Sequence, residues 1–237
     1  MAVDTLYDLQ AIRQMFDEMA ETYGVVNSLS SFGFAARWRQ QVVAALPLLD
    51  PPQRLADLMS GCGEIWTSVA KRLPTVTEVI AVEISPEMSR RASRKFRFTV
   101  EVLQADVLEP QLPPESCDAV VSSFGLKTLS REQQDCLAQR VAELLRPGGS
   151  FSFVEISVPP NRWLRMLYLL YLSRGIPLIG RVCLGNPSHY RRLGEYTRAF
   201  GDSQYFAQAL NRAGLHAEFV SYFYGCATGV RGRKPAP

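Results

Sequence analysis

Two glycines and two acids set the chemistry that this sequence can do. Gly61 and Gly63 sit in a small-residue turn, Ser60-Gly61-Cys62-Gly63. The turn follows the apolar run Leu55 to Met59 and precedes a helical stretch, Glu64 to Arg72. Strand, glycine turn and helix open a nucleotide-type α/β fold, and glycine lets backbone approach a ligand where a Cβ would block it. Glu83 lies in the next apolar run, Glu78 to Ile84, 20 residues after Gly63. An acid there can accept both hydroxyls of a ribose. Asp106 lies just past a third run, Phe98 to Leu103. Its carboxylate can take the amino group of adenine, with Val107 against the ring, or it can cap a turn.

The missing residues narrow the ligand. A dinucleotide site wants a third small residue where this chain has Trp66, and a P-loop wants a Lys that the turn lacks. The expectation is an adenosyl ligand without phosphates, S-adenosylmethionine. The residues assigned to it are Tyr23, Asp57, Ser60, Gly61, Cys62, Gly63, Glu83, Ile84, Met88, Asp106, Val107 and Ser123. No metal is expected. The only histidines are His189 and His216, and the five cysteines lack metal-ligand spacing.

Transfer of a methyl group from such a ligand needs a nucleophile held about 3 Å from the methyl carbon. In open α/β sheets, ligands sit beyond the carboxyl ends of strands where strand order reverses. A fourth strand, Cys117 to Ser123, flanks that point, so Ser122 to Thr128 should face the methyl group. Lys127 can stabilise a phenolate there, or it is a surface lysine at a helix start. Glu155, near the end of a fifth strand, and Tyr196 complete the catalytic set as bases. His189 is a further candidate and also reads as a plain loop residue.

The elements that must hold these groups follow in order. Asp8 to Tyr23 is amphipathic, with Leu9, Ile12, Met15, Phe16 and Met19 at helical spacing. Tyr23 to Gly33, rich in Ser, Gly and Asn, reads as a loop. A second helix runs from Phe34 to Leu46. Residues 1–50 either cap the ligand or cover a sheet face. Ser85 followed by Pro86 starts a helix, and Ser130 to Arg146 is another, closed by Pro147-Gly148-Gly149. Ser150 to Ile156 is the fifth strand. Asp202 to Ala213 is a helix ended by Gly214. Leu215 to Tyr224 and Gly225 to Val230 form a final hairpin, and RGRKPAP reads as a solvated basic tail.

Between the fifth strand and that helix, residues 159–200 interrupt the pattern. The core of this insertion, Pro159 to Tyr196, holds the apolar run Met166 to Leu172. Arg165, Arg174, Arg181 and Pro177 break it up too often for a membrane span. It can be a lid over an apolar substrate, a dimer surface or a patch resting on a membrane.

With 237 residues, 47% of them hydrophobic and 21% charged, the chain is long enough and apolar enough for one α/β domain with a large core. A net charge of +3 gives no argument for nucleic acid. MAVDTLYDLQ has neither a basic nor an apolar leader segment. Scattered cysteines suit reduced thiols, so the expected location is cytoplasmic.

The chain resembles the ubiquinone/menaquinone C-methyltransferase family from about Phe16 to Lys234. The likeness rests on FDEMAETYGVVNSLSSFGFAARWR, ADLMSGCGE, SFGLKTL, LRPGGSFSFVEIS and GCATGVRGRKP. The resemblance implies a Rossmann-like class I methyltransferase fold: a seven-stranded mixed sheet, helices on both faces, an N-terminal helical cap and an apolar insertion after the fifth strand. It also implies C-methylation of a prenylated quinone-like, isoprenoid or other apolar acceptor. The family usually carries two glycines and then Thr-Gly-Asp in the turn, where this chain has Ser60-Gly61-Cys62-Gly63-Glu64. It carries Arg-Asn after SFGL, where this chain has Lys127-Thr128, and the segment near Tyr190 to Phe200 also differs. Lys is a point charge and not a planar fork, so that exchange is not conservative and leaves a specialised-metabolite acceptor open. O- or N-methylation, a methyltransferase that also promotes cyclisation, and a non-catalytic subunit of a lipid-biosynthesis complex are the alternatives. A homodimer and a peripheral membrane contact stay open.

Overall fold

The computed structural model describes residues 6–48, 50–92, 95–182 and 187–236. Residues 1–5, Cys183 and the middle of the insertion lie outside them. A seven-stranded sheet runs in the order β3-β2-β1-β4-β5-β7-β6. Its strands are β1 (Arg54–Leu58), β2 (Glu78–Glu83), β3 (Thr99–Gln104), β4 (Cys117–Ser123), β5 (Leu145–Ile156), β6 (His216–Tyr222) and β7 (Ala227–Arg233). The first five pair in parallel, and β7 runs antiparallel to both β5 and β6. Strand order reverses between β1 and β4, which opens a crevice at their carboxyl ends. The apolar runs of β1, β2 and β4 are buried throughout or nearly so, as a parallel sheet covered on both faces requires.

Helices α1 (Leu9–Met19), α2 (Tyr23–Ser30) and α3 (Phe34–Ala44) precede the sheet. They are followed by α4 (Trp66–Arg72), α5 (Pro86–Arg91) and α6 (Arg131–Leu144), and, after β5, by α7 (Arg162–Leu170), α8 (Ile176–Val182), α9 (Pro187–Phe200) and α10 (Gln204–Arg212). One sheet face packs on α6 and α10 through Leu137, Val141, Phe206 and Leu210. The other packs on α3 and α4 through Trp38, Val42, Trp66 and Val69. A third cluster joins α1 to Met88 and Tyr196. Local signals start two helices. The Ser85 hydroxyl accepts the Met88 N–H at 3.1 Å. Ser130 and Gln133 form a reciprocal capping box.

Four expectations change. Tyr23 to Gly33 is mostly helix and not loop. Val26 is 1% exposed, and its burial overrides the Ser, Gly and Asn content. The N-terminal segment divides its work: α1 lies over the crevice, whereas α3 covers the sheet. The fifth strand begins at Leu145, because Leu145 already pairs with Cys117. The basic tail is not simply solvated. Arg231 and Arg233 lie within β7, and the Lys234 N–H donates to the Gly149 carbonyl at 2.8 Å.

Candidate active site

The glycine turn is shaped by its neighbours. Gly63 has φ +75°, and a Cβ there would lie 2.4 Å from the Trp66 ring. The indole that replaces the third small residue of a dinucleotide fingerprint therefore packs on the turn. Its Nε1–H donates to Asp57 Oδ2 at 2.8 Å. Asp57 is buried and its Oδ1 has no hydrogen-bond partner. Burial pushes its carboxyl up to about 8, against the pull of the indole.

Glu83 closes the turn from β2. Its Oε2 accepts the Gly61 N–H and its Oε1 the Ser85 N–H, both at 2.8 Å. Burial raises its pKa, and the two N–H groups oppose that shift. Asp106 caps the turn after β3 and stands at the crevice. It accepts the Leu108 N–H at 2.9 Å.

The crevice is open to solvent and lies beside the glycine turn. Tyr23, Ser60, Gly61, Glu83, Ile84, Met88, Asp106, Val107 and Ser123 line it, as assigned from the sequence. Asp57, Cys62 and Gly63 do not. Cys62 Sγ lies 3.3 Å from Met88 Sδ instead, and burial pushes its thiol up to about 12. Leu9, Ile12 and Phe16 of α1 form the cover.

Sequence reasoning missed two charged residues of this crevice, Arg39 and Glu64. Arg39 is 7% exposed, and its guanidinium lies 5.0 Å from the centre of the Phe124 ring. Its contacts are long: 3.4 Å to Ser123 Oγ and 3.8 Å to Glu64 Oε1, which has no hydrogen-bond partner. A cation and an anion with unfilled hydrogen-bonding capacity beside the glycine turn suit a zwitterion. The guanidinium fits an α-carboxylate and the carboxylate an α-ammonium. The signal was present in the sequence. Arg39 shares the apolar face of α3 with Ala35, Val42 and Val43.

A second cavity shares Tyr23 and Phe124 with the first. Val26 of α2 and Leu172, Ile176 and Leu193 of the insertion give it apolar walls. Lys127 is its cation. The ammonium is buried and donates to the Phe124 carbonyl at 2.6 Å and to Glu155 Oε1 at 2.9 Å. Glu155 also accepts the N–H groups of Lys127 and Ile156. Of Ser122 to Thr128, therefore, Ser123, Phe124, Gly125 and Thr128 face the crevice and Lys127 faces the second cavity. Phe124 has φ +67° and Met59 φ +58°. Left-handed backbone at non-glycine residues collects at sites that the surrounding fold over-determines.

Tyr196 lies apart from both cavities. Its hydroxyl donates to the Leu6 carbonyl at 2.6 Å, and its ring lies 6.0 Å from that of Tyr7. It ties α9 to the N-terminal segment. His189 Nε2 lies 2.6 Å from Glu18 Oε2, also away from the cavity walls. Among the described residues no group of acids, histidines and cysteines could hold a metal. Cys62, Cys117, Cys136 and Cys226 are free thiols. No helix among these residues is long and apolar enough to cross a membrane.

Comparison with known proteins agrees with this architecture. The profile of the ubiE/COQ5 methyltransferase family matches residues 5–234. A demethylmenaquinone methyltransferase of Thermus thermophilus is 31% identical over 224 residues, which cover 93% of this chain and all (100%) of the relative. A ubiquinone/menaquinone biosynthesis C-methyltransferase UbiE of Syntrophotalea carbinolica is 31% identical over 228 residues, 92% of this chain and 94% of the relative. Solved structures share the fold at lower identity. A chain in the Haloferax volcanii complex between the Trm112 methyltransferase activator and a methyltransferase superposes with a TM-score of 0.64 at 16% identity, covering 93% of this chain and 97% of that one. Human N-acetylserotonin methyltransferase in complex with SAM gives 0.59 at 18% identity, covering 92% of this chain and 58% of that one.

Proposed function

The chain belongs to the ubiE/COQ5 methyltransferase family and is an S-adenosylmethionine-dependent methyltransferase, and from that premise we propose that it methylates a ring carbon of a prenylated, quinol-like acceptor. The observation that carries this reading is the pair of adjoining cavities. One is polar-ended and fits the cofactor, the other is apolar and holds a single ammonium, and Tyr23 and Phe124 wall both.

The residues present fit the cofactor. Glu83 would take the ribose and Asp106 the adenine, while Arg39 and Glu64 would hold the charged ends of the methionine tail. When bound, the cofactor supplies an electrophilic methyl group on a sulfonium. The protein's part is to bring the acceptor to it and raise the acceptor's nucleophilicity. A phenolic ring carbon gains electron density when its hydroxyl ionises, and the Lys127 ammonium in an apolar cavity favours that ionisation. Glu155 accepts three N–H groups, so its oxygens are engaged by the protein. In this reading it aims Lys127, and the acceptor's protons leave to solvent, from the hydroxyl before attack and from the ring carbon after it. The walls from α2 and the insertion suit a prenyl chain and keep water from it.

Lys127-Thr128, where the family has Arg-Asn, favours an acceptor that differs from those of the named relatives. Demethylmenaquinol is therefore one member of a test panel that also holds phenolic and alkene isoprenoids. The test is incubation of the purified protein with cofactor and each acceptor, read by mass spectrometry. A product one methyl heavier from an apolar ring acceptor is expected. Methylation of polar amines alone would contradict the reading. The free thiols suit the reducing cytoplasmic setting that we include in it.

A further inference from the structure

An amphipathic helix on a soluble domain normally turns its apolar stripe inward. Helix α7 does not. It has no buried residue, and Trp163, Met166, Leu167 and Leu170 are 62%, 55%, 60% and 47% exposed. Their spacing puts them on one face. Leu178 and Val182, at 63% and 76% exposure, extend the apolar surface onto α8.

This surface is continuous with other exposed apolar groups. Phe32, at the end of α2 and 76% exposed, lies 6.0 Å from the Tyr171 ring. Gly225, beside the exposed Tyr224, abuts Pro160. Of the 13 large apolar side chains exposed among the described residues, all but Leu9 and Phe219 lie on these segments. Single exposed apolar residues need no explanation, but a contiguous face does.

The charges on the same segment have one sign. Residues 159–182 contain Arg162, Arg165, Arg174 and Arg181 and no acid. Arg165 is engaged by the Pro159 and Pro160 carbonyls, whereas Arg162, Arg174 and Arg181 are exposed. Arg162 lies 4.8 Å from the centre of the Trp163 ring. Exposed apolar side chains with tryptophan and arginine beside them fit the boundary between acyl chains and headgroups. A second copy meeting this face about a twofold axis would set arginines against arginines.

We propose that the exposed face of α7 and α8 docks the protein on a membrane surface with anionic headgroups. Trp163, Met166, Leu167 and Leu170 enter the headgroup–acyl boundary while Arg162, Arg174 and Arg181 meet the anions. The acceptor cavity is walled by Leu172 and Ile176 of the same segment. A docked protein therefore presents that cavity close to the layer in which a prenylated acceptor dissolves. That consequence rests on the proposed acceptor; the docking itself does not.

The test uses the full chain and phosphatidylcholine vesicles with and without phosphatidylglycerol. Trp38 and Trp66 are 5% and 0% exposed, so a blue shift of tryptophan emission on adding vesicles reports Trp163. A blue shift and co-sedimentation are expected with anionic vesicles, roughly tenfold or more tighter than with phosphatidylcholine alone. The double variant Leu167→Asp/Leu170→Asp changes exposed positions only. It should stay in the supernatant and turn over a water-soluble, short-chain acceptor at the wild-type rate. Equal sedimentation of wild type and double variant would overturn the proposal. So would a wild-type dimer that the double variant converts to monomer, since a second copy would then cover the face. Vesicle binding without turnover of any short-chain acceptor would support the docking surface and overturn the acceptor reading alone.

Discussion

Lys127 Nζ lies 2.9 Å from Glu155 Oε1, with the two side chains only 5% and 0% exposed. The pair joins the turn after β4 to the end of β5, where the second cavity begins. A buried ion pair resists the loss of one partner, which strands the other charge. Lys127→Met alone should therefore lower stability by about 3–5 kcal/mol, visible as a fall in melting temperature. Lys127→Met combined with Glu155→Gln should recover most of that loss. In the double variant turnover should fall roughly 10–1000-fold with cofactor affinity retained, and higher pH should recover part of the rate by ionising the acceptor. Wild-type turnover in the double variant would make the pair a structural brace.

Arg39 is expected to bind the carboxylate of the cofactor's methionine tail. Arg39→Met should weaken S-adenosylmethionine binding about 10–100-fold, the scale of a lost charge-assisted hydrogen bond. Affinity for methylthioadenosine, which lacks the amino-acid end, should not change. Calorimetry with both ligands separates the cases. An equal loss for both would mean that the substitution disturbs the crevice as a whole.

Asp57 makes stability depend on pH. Its carboxyl titrates at about 8 when folded, against 3.8 ordinarily. Between those values the folded chain holds a proton that the unfolded chain has released. Stability therefore falls as pH rises through that window and levels off above about 8. Asp57→Asn can still accept the Trp66 N–H and has no proton to lose. Its melting temperature should decline less than wild type from about pH 5 to pH 8. Parallel declines would show that Asp57 does not set the slope.

What the sequence revealed was local. Cys117–Ser123 forms β4 at the expected bounds. Ser85 caps α5 and Ser130 caps α6, because each signal lies within a few residues of its partner. Gly61 and Glu83 were readable from spacing, since strand, turn and strand fix their separation. What depended on distant packing was not readable. Tyr196 has the residue type of a base, but its hydroxyl is held by Leu6, 190 positions away. Arg39 meets Ser123 across 84 positions. Composition marked α2 as a loop because its burial comes from neighbours elsewhere in the chain.

Carbon methylation at the junction of the two cavities would leave the new methyl group bonded to a ring carbon. The most direct measurement is NMR of the product formed with cofactor carrying a ¹³C-labelled methyl group and a short-chain demethylmenaquinol or related phenolic acceptor. The expected result is a labelled methyl signal coupled to a ring carbon, lost in the Lys127→Met/Glu155→Gln variant. A labelled methyl on oxygen or nitrogen, or no transfer to any apolar ring acceptor by protein that binds the cofactor, would contradict it.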